Sequence, residues 1–240
     1  MLDYYDIVEG PTYRALDEAK IIGTLEILRN RIGERFPDSG LRRVADELIA
    51  VGGEVSDTVD YIRAPNWPTR ILAGIAIVVM IGVLLVGLTT LQLPTTIRGL
   101  SDVVQLFEAA INDIVFLGIA VYFLISIERR LKRRRALTVI HQLRSLAHVV
   151  DMHQLTKDPE RLLSPEPSTE SSPERTMEPA KLGRYLDYCS ELLSVVSKLA
   201  ALLVQYFNDE VVLSAVDEIE GLTTGLQSKI WQKIRLLERV

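Results

Sequence analysis

A single cysteine, Cys189, is all the thiol chemistry that 240 residues offer. One thiol excludes an intramolecular disulfide and any multi-cysteine zinc or iron–sulfur site. In the pattern LDYCSELL it reads as a small buried residue of a helix. Histidine is scarce as well, with three in the chain, at 141, 148 and 153. No phosphate-cradling glycine loop, nucleophile elbow or two-histidine zinc helix occurs, so neither catalysis nor a cofactor is expected. GGEVSD and GLTTG carry glycine but sit inside helical patterns. No alternating strand pattern of useful length appears, which makes the expected fold class all-α. The start, MLDYYDIVEG, has neither a basic n-region nor an apolar core, so no signal peptide is expected there.

Charge is present but unevenly placed. The net value of −5 conceals 13 acids against 8 bases in residues 1–66, and 8 bases against 2 acids in residues 128–157. Such concentration is a positional signal. The basic block lies directly behind a hydrophobic stretch, and hydrophobic runs are what this sequence has in quantity.

From Ile71 to Thr96 there is no charged residue. A bilayer core of about 30 Å needs ~20 helical residues, so about 70–92 reads as a first transmembrane helix. Apolar residues all round suit lipid, whereas a soluble helix shows a polar stripe. The run IVFLGIAVYFLISI is short, and extending it back to about 108–127 gives a second span with a polar outer end. The link between the spans holds one base, Arg98. Arg63 and Arg70 precede the first span, and Arg129, Arg130, Lys132, Arg133, Arg134 and Arg135 follow the second. The positive-inside rule then places both termini in the cytoplasm of an inner-membrane, two-span protein, with the basic block as a topology lock near anionic headgroups. That block abuts the membrane and lacks interleaved aromatics, so nucleic acid is not the expected partner.

The flanks read as helical hairpins. Ile21, Leu25, Leu28 and Ile32 make one helical face that stops at Pro37. Leu41, Val44, Leu48, Val51, Val55 and Ile62, interrupted by Thr58, form a heptad seam. Leu137, Ile140, Leu143, Ala147 and Val150 continue a helix past the basic block. Residues 158–180, rich in Pro, Ser and Glu, read as a flexible linker. After it, Leu182, Leu186, Cys189, Leu193, Val196, Ala200, Leu203 and Phe207 share a face, and Leu213, Val216, Leu222, Leu226, Ile230, Ile234 and Leu237 share another. The expected organisation is therefore a hairpin at 1–66, two membrane helices at 67–130, an extension at 131–157, a linker at 158–180 and a second hairpin at 181–240. The hairpins can form a four-helix bundle within the chain, or pair between chains as a homo-oligomer or with another protein.

Two groups of side chains stand out as candidate sites. His141 and His148 share a helix face but lie about 10 Å apart along the axis, too far for one ion at ~2.1 Å per bond. His148 and Asp151 can share a metal, or Asp151 can orient the imidazole, and His141 and His148 are candidates for pH sensing. The bland reading is a polar border of a packed helix. Glu108, Asn112 and Asp113 form the outer acidic group, which in an oligomer would ring a cation pore, or else belong to an amphipathic helix on the outer surface. In layout alone, two spans with cytoplasmic helices are similar to bacterial two-span effector domains of nucleotide-signalling defence systems. No motif carries that likeness, and it implies only the pore reading. The leading expectation is a self-associating, non-catalytic membrane scaffold or regulatory anchor.

Overall fold

The computed structural model describes residues 14–65, 67–90, 100–157, 159, 170 and 177–238. All regular structure among them is helical: α1 (Glu18–Arg35), α2 (Gly40–Arg63), α3 (Trp67–Thr90), α4 (Leu100–Leu155), α5 (Pro179–Gln205) and α6 (Glu210–Leu237). The linker expected at 158–180 lies largely outside the described residues.

Local chemistry sets the ends. Asp17 caps α1 by accepting from the Lys20 amide at 3.1 Å. Ser39 caps α2 in the same way, accepting from the Arg42 amide at 3.3 Å while its hydroxyl donates to the Phe36 carbonyl at 2.8 Å. Pro179 occupies the first turn of α5, where its missing N–H costs nothing. Asp209 caps α6, accepting from the amides of Val211 and Val212.

The chain divides into two compact units, one of Met1–Arg63 with Arg135–Val240, the other Ala64–Arg134. The first unit is a bundle of five helices: α1, α2, the C-terminal part of α4, α5 and α6. Every seam residue of α2, Thr58 included, is buried. Helix α5 packs against α1, α2 and α6. Contact on several sides explains why Tyr185, Tyr188, Leu192, Val195, Leu199 and Leu202 are buried along with the expected face. The fifth helix is supplied by α4, whose Ala136, Val139, Ile140, Leu143, Ala147 and Val150 enter the same core.

One helix face differs from expectation. Leu213 is 52% exposed, and Val212 takes the buried seat. The buried stripe of α6 runs Val212, Val216, Ile219, Thr223, Leu226, Ile230, while Leu222, Ile234 and Leu237 are only partly buried. Thr223 fits because its hydroxyl donates to the Ile219 carbonyl of its own helix at 3.0 Å, leaving its methyl for the core.

The second unit holds α3 and the first part of α4. Among the described residues no helix is long and apolar enough to cross a membrane; several side chains of α3 and α4 lie outside that set. The two expected spans therefore remain a proposal.

Candidate functional site

The base of the second unit is a charged knot. Glu128, one helical turn before Lys132, accepts from Arg70 Nε at 3.0 Å and from Lys132 Nζ at 3.1 Å. The same ammonium donates to the carbonyl of Ala64, one residue past the end of α2, at 3.0 Å. Lys132 is thereby buried, at 8% exposure, although its five basic companions in the block are all arginines and four of them are exposed. A buried ammonium needs its charge and its hydrogen bonds satisfied together, and Glu128 with the Ala64 carbonyl does both. Pro65 breaks the chain between α2 and α3 at this point, and Pro68 sits in the first turn of α3, where a missing N–H costs nothing.

Around the knot lies a collar of cations. Arg129, Arg130 and Arg134 are exposed, Arg133 is half-buried, and the Arg130 guanidinium lies 5.8 Å from the Phe123 ring centroid. In the first unit Arg135 stacks over Tyr61 at 4.7 Å, and Arg63 over Tyr206 at 3.8 Å. Trp67, at the start of α3, is exposed.

Beyond the collar the surface turns apolar. Ile71, Leu72, Ile75, Val78, Val79, Ile81, Leu85 and Val86 of α3 are exposed. At 100° per residue they cover roughly half of the helix circumference. On α4, Val104, Ile111, Ile114, Val115, Phe116, Ile119, Tyr122 and Phe123 are exposed likewise. Glu108 and Asn112, one turn apart, lie on this exposed side. Asp113 is within the helix, and its side chain lies outside the described residues.

His141 and His148 are exposed. Asp151 accepts from the Gln154 side-chain amide at 2.6 Å, so its carboxylate is engaged by a residue outside the expected pair. Among the described residues, no group of three or more His, Cys, Asp or Glu is placed to hold a metal ion. His141 instead borders a cleft of 420 Å³ with Arg144, Glu210 and Glu218, where Arg144 and Glu218 pair at 2.8 Å. A larger groove, of 1020 Å³, runs along α1, α2 and α5, and Arg63, Lys198, Asp60 and Glu191 line it with both signs of charge. Cys189 is buried and its thiol pushed up to about 12, chiefly by burial, which removes it as a thiolate nucleophile.

Two residues of the knot and core ends escaped the sequence reading, Glu128 and Lys233, and His153 carried no role in it. Glu128 carried a signal, being the only acid within a run of bases. The Lys233 ammonium bonds the carbonyls of Gln154 at 2.9 Å and Lys157 at 3.5 Å, closing the C-terminal end of α4, and nothing local in the sequence announces that. No family model, curated protein or solved structure matches the chain.

Proposed function

We propose that this is a membrane-anchored helical scaffold, in which α3 and the first part of α4 cross a bilayer as a hairpin and the five-helix unit lies on the cytoplasmic side without catalytic activity. The observation that carries this reading is the exposed apolar belt. From Ile71 to Thr90 the helix rises about 30 Å without a charge, and Glu108 to Glu128 spans about 30 Å as well, the thickness of a hydrocarbon core. Water offers no reason for such a surface on a single chain, since exposed apolar patches of this extent mark contact with lipid or protein. Trp67 and the arginine collar at one end match the anchors of a membrane interface, where each basic side chain near anionic headgroups contributes ~1 kcal/mol. The distribution of arginine favours both termini in the cytoplasm of an inner membrane.

Self-association belongs to the hairpin in this reading. The α2 seam, an expected contact between copies, is buried within its own bundle. A second reading, an oligomeric cation channel, is favoured by one observation: Glu108 and Asn112 stand exposed on α4. Current through reconstituted bilayers that is lost in Asp113→Ala supports the channel, and absence of current at every pH removes it.

The anchor is tested by alkaline carbonate washing of membranes from cells expressing the full chain. Wild type stays in the pellet. The double variant Val79→Arg with Leu85→Arg, costing about 2.5–3.5 kcal/mol per arginine near the helix centre, shifts to the supernatant. Wild-type protein released by carbonate overturns the proposal.

A further inference from the structure

We propose that His153 is a pH-operated latch that holds the last turn of α4 against the first residue of α2. The imidazole lies directly over Gly40. A Cβ at position 40 would collide with the ring's Cε1 and come within 2.9 Å of Nε2, so the seat exists because residue 40 has no side chain. His153 is half-buried there.

The charged groups that act on this seat, Arg43 and Lys157, both oppose an imidazolium. Arg43 faces it from the first turn of α2, and that turn carries no acid. The amide end of α2 adds partial positive charge of its own. Lys157 approaches from the chain beyond α4, and Lys233 of α6 sits on the carbonyls of Gln154 and Lys157. On α4 itself, the Asp151 carboxylate is engaged by Gln154, and Asp38 in the turn before α2 is solvent-exposed. Burial first, then Arg43 and Lys157, hold the imidazole below the usual histidine range. Since the folded state resists the proton that the unfolded chain accepts near 6.5, the latch contributes fully above that pH. Its contribution is lost as pH falls from about 6.5 toward the lower folded value.

Helix α4 is unbroken from Leu100 to Leu155, so a latch on its last turn restrains the same helix that bears the collar and the apolar belt. Acidification frees the far end of that helix. Every group of the latch lies in the five-helix unit, so its failure and that of the membrane reading are separate results.

Amide hydrogen exchange of the full chain in detergent, from pH 8 to 5.5 and corrected for intrinsic exchange, tests the latch. Protection in 40–46 and 147–155 is expected to fall by up to about tenfold per pH unit below ~6.5. His153→Gln abolishes that dependence, and the double variant His141→Gln with His148→Gln keeps it. Gly40→Ala evicts the ring without changing charge, and flattens the profile as well. A wild-type profile that is flat over this range, or a dependence that survives in both His153→Gln and Gly40→Ala, overturns the proposal.

Discussion

Shortening Leu143 to alanine asks whether the C-terminal part of α4 belongs to the core of the bundle or merely lies on it. Leu143 is completely buried. Removing its outer methyl groups loses part of a transfer free energy of about 1.5–3 kcal/mol for a buried leucine. It also leaves a cavity, because the surrounding core relaxes only partly onto a vacated site, and the combined cost is about 2–5 kcal/mol. For a unit of this size, each kcal/mol lowers the midpoint by about 2–4 °C, so Leu143→Ala is expected to melt roughly 10 °C below wild type. Leu155 supplies the control. It lies on the same helix, is 56% exposed, and its replacement by alanine is expected to change stability by less than about 0.5 kcal/mol. Thermal and urea unfolding followed by circular dichroism in detergent measures both. Equal midpoints for Leu143→Ala and Leu155→Ala would refute the five-helix core.

Three further outcomes follow from the geometry. Glu128→Gln replaces one of two accepting oxygens by an NH2 that cannot accept from a cation and strips the buried Lys132 of its counter-charge, so the hairpin base is expected to lose about 1–3 kcal/mol, read as faster proteolysis at the α2–α3 junction. Wild-type protease resistance contradicts it. Asp209→Ala removes the cap of α6 and is expected to cost about 0.5–2 kcal/mol in urea unfolding, with an unchanged midpoint as the failing result. Cys189, with its thiol near 12, is expected to resist maleimide at pH 7.5 until the protein unfolds. Because the unfolded thiol ionises near 9, its burial stabilises the fold below that pH and the contribution is lost between about 9 and 12 as pH rises. Labelling within minutes in the folded state is the contrary finding.

The helix faces were legible wherever one side meets the core. Ile21, Leu25, Leu28 and Ile32 are the buried residues of α1, because a helix at the edge of a bundle shows a single apolar stripe. Legibility fell in α5, where contact with three helices buries more than one stripe and periodicity ceases to report a direction. It failed by one residue at Leu213, since Val211, Val212 and Leu213 are interchangeable by hydropathy and only packing against α5 selects Val212. The candidate sites depended on contacts distant in sequence. Nothing local joins Lys132 to Ala64, 68 residues away, or His153 to Gly40. The histidines that drew notice, His141 and His148, were those spaced along one face, whereas burial falls on His153 because the bundle closes around the last turn of α4.

Cys189, buried and the sole native thiol, leaves introduced cysteines free to report where lipid begins and ends. In intact cells with a permeable outer wall, Thr95→Cys is expected to react with a membrane-impermeant maleimide, and Ser171→Cys to react only after the inner membrane is opened. Equal labelling of the two positions, whether both before opening or both only after it, contradicts a hairpin that crosses the bilayer.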